Sequence, residues 1–506
     1  MPGTGGSPNL RSRTARPTAI GPAVASALVL LLVLGLGSAA PVLAGGPWPA
    51  QSFPPTPGGS PSASGSPVAS PSVGTLPSPS PVASATTASA SVPPTPRALP
   101  SPSRIPPVSP IPVQPGALTF FGRGYGHGLG MSQYGARGRA LAGQTAPTIL
   151  AHYYQGTTLA GVSPAAPVRV LVLAPSAPTA AKPIVLHGRG APFTIDGVTG
   201  SFPIGARAEI WRSGNGFGIL INSATGAVLL RTSSAVADLR LRSGADPGRI
   251  QVDSKPSTHD TYRGTIRILG TSSGVIAVNE LGLDLYLRGV VPAEMPSSWP
   301  LEALKAQSIA ARSYAEAHVH VGIGAYDLYD DTRAQVYQGS LGEVSAATTA
   351  VTATAGQVLK SGSTVITALY HSADGGATEN NENVYTSATG QIVASPVSYL
   401  RGSSDRAPNG VSYDSASPHA TWQTATYTWP QLSAIFATDT RTNVGTLTSL
   451  NLSAKGVSGR LIRVTLVGSL GSKTVNGEIF REVFNTGSPA ADPYMWSTLV
   501  DTAPIP

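Results

Sequence analysis

Short apolar runs separated by glycine, proline, serine and asparagine dominate the region from 161 to 285. Representative runs are Val168–Leu173, Gly218–Ile221, Thr265–Leu269 and Val275–Val278. Apolar runs of this length, bounded by turn residues, are typical of strands in a sandwich or barrel. We therefore expect residues 161–285 to form a β-rich region. No cluster of reactive side chains stands out within it.

The pattern changes in the segment YLRGVVPAEMPSSWPLEALKAQSIAARSYAEAH, which runs from Tyr286 to His318. A short apolar run leads into a proline-bounded loop, and an alanine-rich helix follows, with Ser298 as its N-cap and Pro300 in its first turn. The loop carries one acid, Glu294, among apolar neighbours, whereas surface acids usually have polar surroundings. We predict that Glu294 is the centre of the chemistry. The competing interpretation is an acid that complements the dipole of the following helix.

Helices and strands continue to alternate towards the carboxyl end. We expect helices over 341–354 and 429–436, strands over 357–360, 364–369 and 461–466, and a last helix starting near 476. Residues 286–500 are therefore predicted to form a mixed α/β catalytic core. Together with the β-rich region, this core makes the predicted fold class α+β.

Glycine occupies every second position from 122 to 130 in GRGYGHGLG, and MSQYGA follows directly. This alternation has the period of a strand and would place Arg123, Tyr125 and His127 on one face. So many glycines weaken a strand unless another group approaches the backbone closely. We interpret segment 118–160, with a helix over 136–154, as a candidate sugar-binding wall. The alternative is a glycine-rich hairpin without a function.

The first 117 residues have the composition of an export signal and a tether. Residues 1–44 contain three arginines, an apolar stretch over 23–36 and Val42-Leu43-Ala44, which is typical of a cleaved signal peptide. The apolar stretch also approaches the length of a membrane anchor, so that interpretation stays open. Residues 45–117 are rich in proline, serine and alanine and are predicted to be a disordered linker. Both interpretations place the folded part outside the cytoplasm, either secreted, associated with the cell wall or anchored to the membrane.

The composition excludes several classes of site. The chain has no cysteine, so a disulfide framework, a thiolate metal site and a cysteine nucleophile are excluded. A net charge of +8 suits an anionic partner, but the lysines and arginines form no consecutive run, which favours dispersed charge. We expect no nucleic-acid partner, and contact with a membrane only through an N-terminal anchor.

Two further kinds of site are disfavoured by the motifs. The eight histidines are scattered and no H-E-x-x-H string occurs, which argues against a zinc hydrolase. Ser372, His371 and Asp374 are sequence neighbours that lack a G-x-S-x-G elbow, which argues against a catalytic triad.

Two mechanisms remain open for Glu294. In a two-carboxylate glycosidase it would pair with a second acid, for which the candidates are Asp330, Asp331, Asp374 and Glu379. In the other mechanism Glu294 acts alone, first giving a proton to a glycosidic oxygen and then taking one from a substrate hydroxyl. Apolar surroundings would raise its pKa and a nearby helix start would lower it.

The segment YLRGVVPAEMPSSWPLEALKAQSIAARSYA closely resembles the stage II sporulation protein D family, also called the SpoIID/LytB or amidase-enhancer domain. GRGYGHGLGMSQYGA, QVYQG, YHSADGGATEN and YLRG resemble further motifs of that family, so the resemblance spans residues 118–490. It implies a lytic transglycosylase that cuts the MurNAc–GlcNAc bond of peptidoglycan strands lacking stem peptides and leaves 1,6-anhydro ends. The acid of the family's A-E-M-P motif falls on Glu294.

The resemblance also implies which residues line the cleft. We assign substrate contact to His127, Gln133, Tyr134, Arg312, Gln335, Tyr337 and His371. For Arg312, a surface pair with Glu316 is an equally good interpretation. Some family members bind zinc through cysteine-containing sites, which this chain lacks, so we predict no metal and no cofactor.

One feature departs from the family pattern. In well-known members the glycine-rich motif follows the domain, whereas here it comes first, at 122–136. This order predicts a permuted core in which the motif packs against the segment carrying Glu294.

Two other functions remain open, namely a non-catalytic wall-binding protein that enhances an amidase, and an adhesive or structural wall protein. The expected partners are glycan strands and, for the second function, a wall amidase.

Overall fold

A computed structural model describes residues 111–112, 116–319, 324–489 and 493–505. The predicted signal segment and nearly all of the predicted linker lie outside the described residues. Within the described ranges, no helix is both long enough and apolar enough to cross a bilayer.

The amino-terminal elements are β1 (Ile111–Pro112), β2 (Ala117–Gly122), β3 (Met131–Ser132), α1 (Gln133–Leu141), α2 (Ala146–Tyr153) and β4 (Thr158–Gly161). The predicted helix over 136–154 is thus two helices. The break falls at Gly143, whose φ of 83° is poorly tolerated by other residues and ends the first helix. Ser132 caps α1, because its hydroxyl accepts the Gly135 N–H at 3.0 Å.

The β-rich region contains β5 (Pro167–Ser176), β6 (Ile184–Arg189), β7 (Phe193–Ile195), β8 (Val198–Phe202), β9 (Arg207–Ser213), β10 (Gly216–Asn222), β11 (Val228–Ser234), β12 (Asp238–Ser243), β13 (Arg249–Val252), β14 (Thr261–Tyr262), β15 (Thr265–Thr271) and β16 (Gly274–Gly282). One sheet has the order β11-β10-β9-β6-β13-β14. Apolar side chains alternate inward, as with Ile250 and Val252 of β13.

The carboxyl-terminal elements are α3 (Leu283–Glu294), α4 (Leu301–His318), β17 (Leu328–Tyr329), a 3-10 helix (Gly339–Gly342), α5 (Ser345–Ala353), β18 (Gln357–Ser361), β19 (Thr364–Val365), β20 (Tyr370–His371), α6 (Asn381–Val384), β21 (Trp422–Thr428), α7 (Trp429–Phe436), β22 (Leu447–Lys455), β23 (Leu461–Gly468), β24 (Gly471–Asn476), α8 (Gly477–Gly487) and β25 (Val500–Asp501). The predicted α+β fold class, with its β-rich region, is confirmed.

The second large sheet has the order β17-β5-β16-β15-β12-β7-β8 and packs against helices α3 and α4. Buried residues of the strands, such as Ile266 and Ile268, belong to the same apolar cluster as Leu287 and Val290 of α3 and Leu304 of α4. The predicted boundary after residue 285 therefore does not separate two cores. The strands form a floor that fixes the position of the helix carrying Glu294.

The segment before Glu294 is helical, whereas the sequence predicted a proline-bounded loop. Helix α3 runs through Pro292 and ends at Glu294, with Pro296 just beyond. Pro292 lies in the last turn, and burial of Val290 and Val291 in the core favours the helical conformation over the loop that proline suggests. The acid is consequently held at the end of a packed helix.

The amino-terminal segment returns to the carboxyl-terminal half. Strand β2 pairs with β21 and β25, and β3 pairs in parallel with β20, with Met131 opposite Tyr370 and Ser132 opposite His371. Phe120 of β2 packs in the carboxyl-terminal core against Phe480 and Phe484. Residues far apart in the sequence therefore meet around the glycine-rich motif.

Candidate active site

Glu294 lies at the end of α3 with its carboxyl enclosed by protein atoms, although the residue keeps some accessible surface. Its Oε1 accepts the backbone N–H of Val336 at 2.9 Å. An acid that is fixed by a backbone donor and still reachable has the setting that proton transfer to a ligand requires.

Burial raises the pKa of Glu294 to about 7. The cause is loss of hydration, which disfavours the charged carboxylate. The Val336 N–H, the Tyr370 hydroxyl and the Gln133 amide act in the opposite direction and lower the pKa, but burial outweighs them. The acid is therefore poised to gain and lose a proton near neutral pH.

A chain of side chains orients Tyr370 towards Glu294. The Tyr286 hydroxyl donates to Gln335 Oε1 at 3.3 Å, and Gln335 Nε2 donates to the Tyr370 oxygen at 2.9 Å. Because that oxygen already accepts a hydrogen bond, the Tyr370 O–H is left to donate to the Glu294 carboxyl. Gln335, a predicted substrate contact, is almost fully buried and acts here through Tyr370.

The glycine-rich motif and the Glu294 segment are in direct contact. Gln133 Nε2 donates to the backbone carbonyl of Glu294 at 2.8 Å, across 161 residues of sequence. The ring of Tyr134 lies edge-on to Trp299 with centroids 4.7 Å apart, and the Arg137 guanidinium lies 5.5 Å from the Trp299 ring. Tyr134 and Trp299 are both partly accessible, so they offer an aromatic surface beside the acid.

The two predicted histidines lie side by side, with ring centroids 5.2 Å apart. His127 is partly accessible, and its Nδ1 accepts the Leu129 N–H at 2.9 Å. His371 is fully buried, and its Nδ1 lies 3.1 Å from the Leu129 carbonyl. Burial lowers the pKa of His127 to about 4 and that of His371 well below its usual range, so both rings are neutral at pH 7. Of the two, only His127 is accessible to a ligand.

The glycines of the motif serve protein packing. A Cβ on Gly130 would lie 2.0 Å from the Leu369 carbonyl oxygen, and one on Gly124 would lie 2.7 Å from that of Ala373. Both glycines also have positive φ angles, 65° and 74°. The close approach inferred from the sequence is therefore made by the segment around residues 369–375, while Tyr125 and His127 between the glycines remain partly accessible and Leu129 is buried.

Arg312 and Tyr337 are placed in the protein interior. The Arg312 side chain has no accessible surface, and its Nε donates to Asp284 Oδ1 at 2.6 Å. Its terminal nitrogens donate to the carbonyls of Gln357 and Val351. The Tyr337 hydroxyl donates to an asparagine side chain of β16 at 2.9 Å. These contacts give both residues a structural role, and they are not part of the proposal below.

Two candidate second carboxylates are engaged with cations. Asp330 pairs with Lys255, and Asp331 pairs with Arg333 at 2.7 Å on the surface. Neither is among the groups that shift the pKa of Glu294.

The other two candidate carboxylates are buried in separate networks. Asp374 Oδ1 accepts the Gly376 N–H at 2.8 Å, and Glu379 Oε2 accepts the Ser458 hydroxyl at 2.6 Å. Both side chains are almost completely inaccessible. The geometry therefore favours a single acid over a carboxylate pair.

The candidate triad residues are not arranged for nucleophilic catalysis. His371 Nδ1 is directed at the Leu129 carbonyl, and Asp374 bonds to backbone, so neither is arranged to activate Ser372. No group of three or more histidine and acidic side chains within those ranges is arranged to hold a metal ion.

Sequence reasoning missed the groups that hold Glu294. Val336 contributes only its backbone N–H, which no side-chain pattern reveals. Tyr370 adjoins the predicted His371, and Trp299 lies within the segment already singled out, so a partial signal existed for both. Tyr286 opens that same segment and is a fully buried member of the chain of hydrogen bonds.

The raised pKa of Glu294 predicts a pH-dependent stability difference between the wild type and Glu294→Gln. The folded state holds the proton from the ordinary carboxyl pKa of 4.5 up to about 7, so the free energy of unfolding of the wild type falls as pH rises through that window. Glutamine does not titrate. Between pH 4 and pH 8, the free energy of unfolding of the wild type, measured with denaturant, should fall by on the order of 3 kcal/mol more than that of the variant. If the difference in free energy of unfolding between the two proteins does not change with pH, the raised pKa is contradicted.

Comparison with known proteins matches a family to the segment of the chain that carries Glu294. The family described as Stage II sporulation protein (SpoIID) matches residues 271–360. The Amidase enhancer of Bacillus subtilis is 36% identical over 148 residues, which are 28% of this chain and 20% of that protein. Stage II sporulation protein D of Bacillus subtilis is 34% identical over 130 residues, which are 22% of this chain and 37% of that protein.

An uncharacterized protein of Brachyspira hyodysenteriae is 35% identical over 126 residues, which are 24% of this chain and 34% of that protein. The alignments thus span about a third or less of most of these relatives' lengths. The resemblance to the stage II sporulation protein (SpoIID) family predicted from the motifs is confirmed, and the matched residues 271–360 include Glu294.

Proposed function

We propose that this protein acts on the bacterial cell wall as a lytic transglycosylase, with Glu294 as its only general acid and base. The observation that carries the proposal is Glu294, a residue with some accessible surface whose enclosed carboxyl accepts the Val336 N–H and has a pKa raised to about 7. The four candidate partner carboxylates are engaged elsewhere, which favours the mechanism that needs one acid. The family match and the name of the Amidase enhancer support the broader assignment to the cell wall.

In the proposed reaction, protonated Glu294 donates its proton to the oxygen that links MurNAc C1 to GlcNAc O4. The C1–O bond breaks and the electron pair leaves with O4, which departs as a hydroxyl. The carboxylate then accepts the proton of the C6 hydroxyl of the same MurNAc while that oxygen bonds to C1. The product has a 1,6-anhydro end, the enzyme regains its proton and no water is consumed.

Each neighbour of Glu294 has a defined part in this proposal. The Val336 N–H fixes one carboxyl oxygen, and the Tyr370 hydroxyl stabilises the carboxylate formed after the first proton transfer. Tyr134 and Trp299 provide ring faces on which the apolar face of a sugar can stack. His127 keeps some accessible surface for contact with a sugar, while its imidazole is held by the Leu129 N–H and by the Tyr370 backbone.

We predict that kcat/KM is lost on the alkaline side with an apparent pKa near 7, because the first step needs protonated Glu294. In Tyr370→Phe the alkaline limb should move to higher pH, because the hydroxyl that stabilises the carboxylate is removed. Initial rates of anhydro-end formation on soluble glycan strands between pH 5 and pH 9 test both statements. An alkaline limb near pH 4.5, or one that Tyr370→Phe leaves in place, would contradict them.

A second candidate function is supported by the Amidase enhancer, of which 148 residues align with this chain. In that alternative the same cleft binds glycan without cutting it and recruits or stimulates an amidase. The aromatic surface of Tyr134 and Trp299 suits glycan binding in both functions, whereas a carboxyl poised near neutral pH favours the catalytic one.

One assay separates the two functions. Purified protein is incubated with glycan strands that lack stem peptides and, in parallel, with intact peptidoglycan, and the ends are identified by mass spectrometry. We expect anhydro-MurNAc ends from the peptide-free strands. Binding without new ends, together with faster release of peptides by an added amidase, would favour the second function.

A further inference from the structure

A second cluster of aromatic rings lies at the other end of the glycine-rich motif from Tyr134. The centroids of Tyr125 and His419 are 5.2 Å apart, those of Tyr125 and Trp496 are 5.0 Å apart, and those of His419 and Trp496 are 4.0 Å apart. The three residues come from distant parts of the sequence. They contribute to neither the chemistry of Glu294 nor one of the apolar cores.

Backbone hydrogen bonds hold the three rings in place. The N–H of Gly124 donates to the His419 carbonyl at 2.8 Å, and that of Gly126 donates to the Trp496 carbonyl at 3.2 Å. Tyr125 itself exchanges backbone hydrogen bonds with Ala373 at 2.8 and 3.0 Å. The cluster is therefore preorganised, so a ligand would not have to order it.

All three rings are half-buried and keep unused polar atoms. Within the described ranges, neither the Tyr125 hydroxyl, nor the His419 imidazole, nor the Trp496 indole N–H makes a hydrogen bond to protein. Trp422 nearby differs, since its indole N–H donates to the Gly124 carbonyl at 2.9 Å. Tyrosine and tryptophan rings usually find such a partner when they are packed. The cluster thus presents ring faces together with free donors and acceptors.

The chemistry of the cluster matches a pyranose ring. A sugar combines an apolar C–H face, which stacks on aromatic rings, with hydroxyls around its edge, which need donors and acceptors. Burial lowers the pKa of His419, so the imidazole is neutral at pH 7 and the three rings carry no charge. Uncharged rings with polar edges suit a carbohydrate, and the Arg481 guanidinium, which acts on the pKa of Tyr125, is paired with Glu478.

A short series of residues and hydrogen bonds connects the cluster to the candidate active site. Tyr125 is two residues from His127, whose imidazole hydrogen-bonds to the backbone of Tyr370, and the Tyr370 hydroxyl interacts with Glu294. The glycine-rich motif therefore carries an aromatic side chain near each end, Tyr125 near its start and Tyr134 near its end. The subsite requires that a strand bound across Glu294 also reach the rings of Tyr125, His419 and Trp496.

We propose that Tyr125, His419 and Trp496 form a distal subsite that stacks a sugar ring of the glycan strand away from the bond that is cut. The nature of the glycan rests on the proposed function. The subsite gives a role to the partly accessible ring of Tyr125, which lies between two packed glycines. It assigns Tyr125 and Trp496 to substrate binding and not to proton transfer.

The test uses the full chain carrying Glu294→Gln, so that binding is measured without turnover. Affinity for peptide-free glycan strands is measured by titration for this parent and for the same chain with Trp496→Ala or Trp496→Phe. We expect roughly tenfold weaker binding for Trp496→Ala, as for other central aromatic anchors, and little loss for Trp496→Phe, which keeps a ring. Trp211→Ala, which removes a half-buried tryptophan of β9, is the matched control and should bind like the parent.

Equal affinity of the Trp496→Ala chain and the parent would overturn the subsite. Unchanged glycan binding combined with lost stimulation of an amidase would also overturn it and would point to a protein partner. Should Trp496→Ala fail to fold, Tyr125→Phe and Tyr125→Ala give the same comparison at a second ring. Failure of the proposed reaction is recognised separately, because the wild type would then bind glycan and release no anhydro ends.

Discussion

Replacing Glu294 by glutamine should lower the rate of anhydro-end formation by at least about a thousandfold. A positioned acid or base typically contributes a factor of about 10² to 10⁴, and the proposed reaction asks Glu294 to serve in both roles. Glutamine keeps the size of the side chain and an oxygen able to accept the Val336 N–H. Binding of glycan should therefore survive while turnover is lost, as measured by product formation and affinity on one preparation.

Glu302→Gln is the matched control for this substitution. Glu302 lies in the first turn of α4, accepts the Ala146 N–H and pairs with Lys305, apart from the hydrogen bonds around Glu294. Its substitution should leave the rate within a factor of about two, since partly exposed ion pairs contribute little. Retained activity in Glu294→Gln, or equal losses in both variants, would remove Glu294 from the mechanism.

Replacing Arg312 by alanine should lower the free energy of unfolding by about 3–5 kcal/mol. The substitution leaves the mostly buried Asp284 carboxylate without its cation, removes the arginine donor to the Gln357 carbonyl, and removes one of the donors to the Val351 carbonyl. Denaturant unfolding monitored by circular dichroism measures the loss. The KM of the remaining folded protein for glycan should not change, because Arg312 has no accessible surface.

Arg333→Ala provides the comparison for an exposed arginine. Arg333 pairs with Asp331, and about half of each side chain is exposed, so we expect its loss to cost no more than about 1 kcal/mol. A stable Arg312→Ala protein with a raised KM would show instead that this arginine binds substrate. Similar destabilisation in both variants would show that the buried hydrogen bonds of Arg312 contribute no more to stability than the exposed pair of Arg333.

The sequence was most informative about features that depend on neighbouring residues in the chain. Glu294 stands out because an acid among Val290, Val291 and Met295 conflicts with the usual preference of charge for polar surroundings, and the structure encloses its carboxyl. The alanine-rich helix α4 and the amphipathic helix α8 follow from their periodicity. Helix α3 was mistaken for a loop because Pro292 acts as a helix breaker in most contexts, and its burial against the sheet is a tertiary effect.

Contacts over long sequence distances could not be predicted in detail. The family resemblance predicted that the glycine-rich motif meets Glu294, but not that Gln133 would bind its carbonyl or that β3 would pair with β20. The burial of Arg312 was equally hidden, because an arginine on an alanine-rich helix has the same spacing whether it faces solvent or extends inward to pair with Asp284. Such choices depend on which elements pack together, and local propensity does not encode that.

The glycine alternation shows how a correct pattern can have an unexpected cause. Alternate glycines do indicate a close approach to the backbone, yet the approaching group is the protein's own segment at Leu369 and Ala373. The same packing leaves Tyr125 and His127 on the accessible side. Whether a glycan strand lies there is what the distal-subsite experiment measures.

Digestion of peptide-free glycan strands in water enriched in heavy oxygen tests the central claim most directly. With Glu294 as the only acid and base and the C6 hydroxyl of MurNAc as nucleophile, no oxygen from water enters the product. Mass spectrometry should then find anhydro-MurNAc ends without the isotope. With the original strand ends reduced to alditols beforehand, so that they cannot exchange oxygen with the solvent, new reducing ends that carry heavy oxygen would show attack by water and would contradict the mechanism with a single carboxyl group.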